Sequence, residues 1–273
     1  MTEEQVLRKT VNVNGTGLSY LEAGTGSGTP LLLLHGTFWS RVWLPVLPAL
    51  AAQGRCVVAL DLPGFGASSG ELDIQTATVP KLAETVLAAA DALGLDHFDL
   101  AGHDIGGGIA QHLAVASERV RRLVLMNSVM FDSWPVPAVE RFRDPEVRAG
   151  MGVNDMVAAR AETTRTAVTR ELSDDEVADY VSPWKDPARV RSWMAMAAAA
   201  DARYTLELVP ALKAAAVPTR LVWGRDDEFQ KINFARRYAT EIPASDLVEV
   251  PGKHIPTEDS PGQVAAAILE HLA

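Results

Sequence analysis

The sequence has very few cysteines and fewer basic than acidic residues. Cys56 is the one cysteine among 273 residues, so no internal disulfide can form, and we expect a protein of a reducing compartment. Lysine and arginine together number 25, against 35 aspartates and glutamates, which gives a formal net charge of -10. Because this charge repels polyanions at long range, we expect no nucleic-acid partner.

Long apolar runs are also missing. The longest, residues 30–34 and 120–126, are far shorter than the about 20 residues that a bilayer span requires. Residues 1–4 lack the basic-then-apolar pattern of a secretory signal. We therefore expect a cytoplasmic protein, monomeric or homodimeric, that does not enter a membrane.

The motifs of common cofactors and metals are absent as well. The glycines at 64–66 and 106–108 do not form Gly-x-Gly-x-x-Gly at the first strand-to-helix turn, and no phosphate-binding loop of the Walker type is present. No two histidines have ligand spacing together with a carboxylate. We expect neither a cofactor nor a metal ion.

What the chain does contain is a repeating pattern of short apolar runs, within a composition that is 48% hydrophobic. Residues 9–22 alternate apolar and polar side chains around Asn14-Gly15, which predicts a β-hairpin. Six later runs predict buried parallel strands: 30–34, 56–60, 98–101, 120–127, 219–223 and 246–250. Helical spacing between runs, as in 79–93, completes an α/β fold in which helices flank a mostly parallel sheet of eight strands.

The alternation of strands and helices stops once. Residues 128–212 contain no strand-like run but have a proline-rich start at 134–137 and alanine-rich helical sequence after it. This pattern predicts a helical cap at 128–212, inserted after the sixth strand of a core formed by 1–127 and 213–273.

A glycine-rich turn follows the predicted strand at 98–101. It has the spacing Gly-x-nucleophile-x-Gly, with Gly102 and Gly106 around Asp104 in the place where serine is commonest. Small residues are needed there because the turn is strained and the next helix packs closely. The alternative is a purely structural turn in which Asp104 caps the helix.

Three further signals follow other predicted strands in the matching order. Thr37 comes soon after the first parallel strand, where its N–H and that of Ile105 can form an oxyanion hole. Asp227 and His254 come after the last two strands. A nucleophile, an acid and a histidine in this order are typical of α/β hydrolases.

Taken together, these motifs resemble the α/β-hydrolase fold, specifically the aspartate-nucleophile branch with epoxide hydrolases and haloalkane dehalogenases. The resemblance extends through the motifs at 35–36, 61–68, 102–107, 223–227 and 252–254. It implies a triad of Asp104, Asp227 and His254, with the acid three residues after Gly224. Asp226 and Asp132 stay open as alternatives, the second because some dehalogenases carry the acid after the sixth strand.

The aspartate nucleophile itself indicates a class of reaction. A carboxylate is ionised at neutral pH without help from a base, so it suits attack on an sp3 carbon that bears a halide or an epoxide oxygen. The product would be an alkyl ester on Asp104. His254 would then activate a water that attacks the ester carbonyl, and Asp227 would orient the imidazole.

The leaving group depends on residues near the cap. The candidates for substrate binding are large aromatic residues: Phe38, Trp39, Trp134, Tyr180, Trp184, Trp193 and Tyr204. A cap tyrosine, Tyr180 or Tyr204, could protonate an epoxide oxygen, whereas indole N–H groups could bind a halide.

Three positions depart from the pattern of the branch, and one of them is Thr37, which replaces the asparagine, glutamate or aromatic residue common after His-Gly. Ile105 stands where similar proteins carry a tryptophan or an arginine directly after the nucleophile, which removes a halide ligand, and Phe38 replaces the usual proline of the His-Gly-x-Pro turn. We therefore favour an epoxide hydrolase acting on a small apolar molecule, with a haloalkane dehalogenase as the alternative. An ester or C–C hydrolase of a bulky metabolite, or a non-catalytic ligand-binding protein, are further alternatives.

Overall fold

The computed structural model describes residues 6–52 and 54–273, which form one eight-stranded sheet. The strands are β1 (Leu7–Val13), β2 (Thr16–Ala23), β3 (Leu31–Leu34), β4 (Val57–Leu60), β5 (Phe98–His103), β6 (Val120–Met126), β7 (Thr219–Gly224) and β8 (Ser245–Val250). Their order across the sheet is β1-β2-β4-β3-β5-β6-β7-β8. Only β2 pairs antiparallel, with β1 and with β4, and the other five pairings are parallel. The predicted α/β fold is confirmed.

The first two strands form the predicted hairpin. Asn14 and Gly15 join them with φ of 51° and 88°, so both turn residues are left-handed, as in the two-residue turns that match the strand twist. Val13 pairs with Thr16 directly beside the turn. Asparagine and glycine tolerate positive φ better than other residues, which explains the turn at this place.

The central strands β3, β4 and β5 are buried along their whole length. Such strands are almost entirely apolar because helices cover both faces of the sheet. The flanking helices are α1 (Leu47–Ala51), α2 (Val79–Ala92), α3 (Ile105–Ala116), α11 (Ile232–Glu241), α12 (Pro256–Asp259) and α13 (Pro261–Leu272). Helix α2 packs against α3, and α1 packs against α13.

Between β6 and β7 the chain is described throughout and forms helices without a strand. The α-helices are α4 (Pro137–Glu140), α5 (Pro145–Gly150), α6 (Val153–Thr166), α7 (Asp174–Val181), α8 (Pro187–Ala199), α9 (Arg203–Leu206) and α10 (Val209–Ala215). Two single-turn 3-10 helices lie in the same segment, at Arg141–Arg143 and Ser182–Lys185, whereas the one at Ser40–Trp43 lies between β3 and β4.

Helices α4 to α8 contact one another, directly or through these short turns, and are called the cap below. Helices α9 and α10 instead pack against α3. The division into two domains, with a boundary at residue 212, stays a prediction. None of the helices in the described part of the chain is long and apolar enough to cross a membrane.

Candidate active site

The turn between β5 and α3 holds Asp104 in a strained conformation. Its φ is 54° and its ψ is -123°, a backbone conformation that residues other than glycine rarely adopt, and the residue is buried. A Cβ on Gly102 would lie 2.3 Å from the Gly106 carbonyl oxygen, and one on Gly106 would lie 2.5 Å from the His35 oxygen. Both positions therefore need glycine, as the spacing of Gly102 and Gly106 around Asp104 predicts.

The Asp104 carboxylate does not cap helix α3; it accepts hydrogen bonds from the loop after β3. The backbone N of Thr37 donates to Oδ2 at 3.0 Å, and the Thr37 hydroxyl donates to the same oxygen at 2.9 Å. No described residue donates to Oδ1 in this geometry, and the Ile105 amide is not among the donors. A Cβ on Gly36 would lie 2.5 Å from Oδ2, so glycine is needed for this close approach.

His254 and Asp227 form a buried hydrogen-bonded pair. His254 Nδ1 lies 2.9 Å from Asp227 Oδ2, to which the Asn127 side-chain amide also donates at 2.7 Å. The other oxygen, Oδ1, accepts from the backbone N–H groups of Phe229 at 2.7 Å and Gln230 at 3.1 Å. The carboxylate is thus held in one orientation by donors on both oxygens.

The pKa values of this pair favour a charged imidazole. Burial lowers the pKa of His254, but the charge of Asp227 and its hydrogen bond outweigh burial, so the pKa lies above the usual 6.5. Burial raises the pKa of Asp227, yet the charge of His254 and the donated hydrogen bonds lower it overall. The pair therefore stabilises an imidazolium that forms when His254 takes a proton.

Neither alternative acid forms a hydrogen bond or an ion pair with the imidazole in the described part of the chain. Asp226 is exposed, and its backbone N–H donates to the Gly252 oxygen at 3.0 Å. Asp132 is exposed and lies 3.5 Å from Arg237 in an ion pair. The geometry therefore pairs His254 with Asp227, which is the partner that the resemblance implies.

Two further histidines fix the loops of the site. His103 Nε2 donates to the His254 carbonyl oxygen at 2.8 Å, and burial, followed by the charge of His254, lowers the pKa of His103 to about 4. His35 accepts the Leu62 N–H on Nε2 at 2.9 Å, so its Nδ1 carries the proton and donates to the Gly36 oxygen. Both histidines therefore hold loops of the site in place through hydrogen bonds to the backbone.

A cavity of about 210 Å³ lies above Asp104 and His254 and extends under the cap. Its lining is mostly apolar. It includes both predicted oxyanion-hole residues and three of the predicted substrate-binding residues: Thr37, Ile105, Phe38, Trp134 and Trp193. The Trp134 indole donates to Thr205 Oγ1 at 2.7 Å, whereas the buried Trp193 indole N–H has no partner among the described residues.

The other four predicted substrate-binding residues do not line this cavity, which corrects that expectation. The Tyr180 hydroxyl donates to Glu258 Oε1 at 2.7 Å, inside a buried ionic cluster that also holds Arg41. The Trp39 indole donates to the Tyr180 carbonyl oxygen at 3.0 Å. Both side chains are therefore used to join the cap to the core, because their polar atoms have partners there.

Tyr204 and Trp184 are also displaced from the cavity. Tyr204 is on α9, which packs against α3, and its carbonyl oxygen accepts from His112 Nε2 at 2.7 Å. The buried Trp184 ring lies 4.8 Å from the guanidinium carbon of Arg160. Trp184 therefore packs against Arg160, which lines the cavity, and does not line the cavity itself.

Sequence reasoning missed two functional candidates. Asn127, the first residue after β6, binds Asp227 and also accepts the Gly224 N–H on Oδ1 at 2.9 Å. Its position directly after a strand is a signal that could have found it. Arg160 on α6 lines the cavity, but nothing in the sequence separates it from the other arginines of the cap.

The described residues contain no cluster of three or more acidic, histidine or cysteine side chains that could hold a metal ion. Within the cavity, the groups able to react are the Asp104 carboxylate and the His254 imidazole. Such an arrangement can support nucleophilic attack by a carboxylate and then hydrolysis by an activated water.

Comparison with known proteins agrees with this fold. Residues 31–267 match the model of the alpha/beta hydrolase family. The chain is 30% identical to haloalkane dehalogenase 2 of Mycobacterium tuberculosis, over 93% of this chain and 91% of that protein. It is 29% identical to a soluble epoxide hydrolase of Corynebacterium, over 96% and 95% of the two chains.

Among solved structures, an alpha/beta hydrolase fold protein from Burkholderia ambifaria matches with a TM-score of 0.86. The two chains are 27% identical, and the match covers 98% of this chain and 99% of the other. The chain therefore belongs to the alpha/beta hydrolase family.

Proposed function

We propose that this hydrolase displaces a halide from an sp3 carbon, with Asp104 as the nucleophile. The observation that carries the proposal is the Asp104 carboxylate at the floor of the cavity, with Oδ2 bound by two donors of Thr37. Oδ1 is then the oxygen that attacks the carbon. The carbon–oxygen bond of an alkyl ester forms as the carbon–halogen bond breaks, and the halide leaves with the bonding electrons.

Hydrolysis of the ester follows from the His254–Asp227 pair. Since Nδ1 of His254 is bound to Asp227, Nε2 is the nitrogen that can take a proton from water. The resulting hydroxide attacks the carbonyl carbon of the Asp104 ester, and the oxyanion develops at Oδ2, which Thr37 stabilises. The bond between the carbonyl carbon and Oδ1 then breaks, the imidazolium gives its proton to the departing alkoxide to form the alcohol, and the regenerated Asp104 carboxyl loses the proton of the added hydroxide to solvent.

The choice of leaving group follows from the donors that line the cavity. An epoxide hydrolase would use a tyrosine as acid, yet neither Tyr180 nor Tyr204 lines the cavity. Trp193 does line the cavity, and its buried indole N–H has no partner among the described residues, which supports halide binding. The chain is 30% identical to a haloalkane dehalogenase and 29% identical to an epoxide hydrolase, so the choice rests on these side chains and not on the likeness.

Epoxide opening is the second candidate. The Arg160 guanidinium lines the cavity and could donate an N–H to the alkoxide that forms when the ring opens. The soluble epoxide hydrolase among the relatives is similar to this chain over nearly the same length as the dehalogenase.

A substrate panel tests the proposal. The wild type, Asp104→Ala and the control Asp226→Ala would be assayed with haloalkanes, benzylic halides, aryl epoxides and activated esters. Halide release that is lost only in Asp104→Ala supports dehalogenation, whereas diol formation with the same dependence supports the second candidate. Activity that survives Asp104→Ala, or ligand binding without turnover, would contradict the role of the aspartate.

A further inference from the structure

Arg160 is a buried cation of the cavity that the described residues leave without a carboxylate partner in an ion pair. The residue is 4% exposed, and its guanidinium carbon lies 4.4 Å, 4.8 Å and 5.5 Å from the rings of Phe38, Trp184 and Trp193. Nη2 donates to the Thr37 carbonyl oxygen at 3.0 Å, while Nε has no partner within residues 6–52 and 54–273.

Other arginines near the cap are paired differently. Arg41 and Arg170 both bind the buried carboxylate of Glu258. Burying a charge without a counter-charge costs free energy of folding, so a buried arginine without a carboxylate partner indicates a site for an anionic ligand. Cation–π contacts with the aromatic rings offset part of that cost.

Among the described residues, the one charged group that raises the pKa of Arg160 is the Asp104 carboxylate. Burial lowers the pKa of Arg160 to about 10, against the opposing charge of Asp104, so the guanidinium stays protonated at neutral pH. When Asp104 becomes an ester, its negative charge is lost. Arg160 would then be a buried cation without any neighbouring anion, unless the substrate brings one.

The charges of the other residues that line the cavity also favour a substrate that carries a negative charge. Among the described residues that line the cavity, Asp104 is the one carboxylate, whereas Arg141 is a second cation, exposed and free of ion pairs within the described part of the chain. A cavity of about 210 Å³ exceeds the roughly 150 Å³ that accommodates benzene. It therefore has room for one aromatic ring with short substituents.

We propose that Arg160 binds a carboxylate on the substrate, so that the protein acts on halogenated organic acids in preference to neutral halides. A guanidinium offers several N–H donors in a plane that matches a carboxylate. The Trp193 indole remains available for the leaving halide. The reaction rests on the proposed function, whereas the binding of a carboxylate does not.

Binding can be measured without turnover. Isothermal titration calorimetry would compare para-methylbenzoate with the neutral isostere para-methylbenzamide on the wild type. We expect the acid to bind at least about tenfold more tightly, because charge-assisted hydrogen bonds exceed neutral ones. Equal affinity for the two ligands would overturn the proposal without the need for any variant.

Three variants sharpen this binding test. Arg160→Met removes the charge but keeps an unbranched stem among the aromatic rings, and it should abolish the preference for the acid. Arg160→Lys keeps the charge and should retain part of the preference. Arg165→Met is the matched control on the same helix, exposed and paired with Asp174, and it should behave as the wild type.

Turnover separates substrate binding from a role in shaping the Thr37 loop. Chloride release from para-(chloromethyl)benzoate and para-(chloromethyl)benzamide would be compared in the wild type and Arg160→Met. We expect KM for the acid to rise at least about tenfold, with kcat/KM for the amide changed less than about threefold. An equal loss for both substrates would show that Arg160 only positions the loop, which overturns the proposal.

The two hypotheses fail in different ways. Acid-selective binding that depends on Arg160, without chloride release from any substrate, supports the carboxylate subsite and contradicts the proposed reaction. Chloride release from the neutral amide alone, with no acid-selective binding, supports the reaction and contradicts the subsite.

Discussion

Two regions of the molecule meet at the cavity, and they hold their side chains in different ways. In the core, Asp104, Asp227 and His254 all lie in turns that follow strands of one sheet, where parallel strands end at the same edge. In the cap, Arg160 and Trp193 are on separate helices, α6 and α8, whose contacts decide which side chains reach the cavity. Local motifs therefore specify the groups that we propose to react, while tertiary packing of helices specifies what surrounds them.

The same contrast appears within the cap. Tyr180 and Trp193 are both buried aromatic residues with a polar hydrogen, yet one donates to Glu258 and the other lines the cavity without a partner. The difference arises from the ionic cluster around Glu258, which lies four positions after His254 in the chain. If the core supplies the reacting groups, substitutions of these core residues should remove the reaction. Substitutions in the ionic cluster around Glu258 should instead alter the free energy of unfolding.

The largest expected effect is that of Asp104→Ala. Loss of the nucleophile should reduce halide release by about ten-thousandfold or more, because no other carboxylate lines the cavity within the described residues. Steady-state kinetics would measure the effect, with Asp226→Ala as the exposed control. A loss below about tenfold would show that the core does not supply the nucleophile.

His254→Gln should separate the two steps of the reaction. The first attack by Asp104 needs no base, so one equivalent of halide should be released and the alkyl ester should accumulate. Steady turnover should fall by about a thousandfold. Intact mass spectrometry would detect the adduct, and His112→Gln, on α3 outside the cavity, is the control. Absence of both the adduct and the first equivalent of halide would argue against two separable steps.

The pH dependence should report on Asp227. Because the pKa of His254 is raised above 6.5, the imidazole becomes neutral, and thus able to act as a base, only as the pH rises through that higher value. Wild-type ester hydrolysis should therefore increase with pH above about 6.5. In Asp227→Asn the charge that raises this pKa is lost, so the midpoint should move to lower pH while the plateau falls about a hundredfold.

Pre-steady-state measurements of deacylation between about pH 5 and 9 would show both changes. A midpoint that stays in place in Asp227→Asn would mean that Asp227 does not set the pKa of His254.

The smallest catalytic effect is expected for Tyr180→Phe. The hydroxyl donates to Glu258, which keeps its pairs with Arg41 and Arg170, so the free energy of unfolding should fall by about 1 kcal/mol. The kcat should change less than about threefold because the hydroxyl does not line the cavity. Urea unfolding and steady-state kinetics would measure the two quantities. A large loss of kcat at unchanged stability would instead indicate that Tyr180 acts as a proton donor in the reaction.

Much of the fold could be predicted because its signals are local. The apolar runs of β3 and β4 lie within one residue of the observed strands, and Asn14-Gly15 is the turn of the hairpin. The turn at Asp104 could be predicted for the same reason, since strain at Asp104 and close packing at Gly102 leave a glycine pattern in the sequence.

The cavity wall could be predicted only in part. Residues near the strand ends, such as Thr37 and Phe38, were found, and so was Trp193. Trp184 was misplaced because a buried tryptophan on a helix has the same appearance in the sequence whether it faces a cavity or supports a neighbour. Arg160 was missed because its lack of a carboxylate partner is a property of the packed structure, and no spacing in the chain records it.

The most direct test of an ester intermediate on Asp104 is a single turnover in water labelled with heavy oxygen, with enzyme in excess over a halogenated substrate. If Asp104 forms an ester and water attacks its carbonyl carbon, the first alcohol product carries unlabelled oxygen from the enzyme, and the label is found in the Asp104 carboxylate. Peptide mass spectrometry would locate it there. Label in the first product, with none in Asp104, would mean that water attacks the substrate directly and would contradict nucleophilic attack by Asp104.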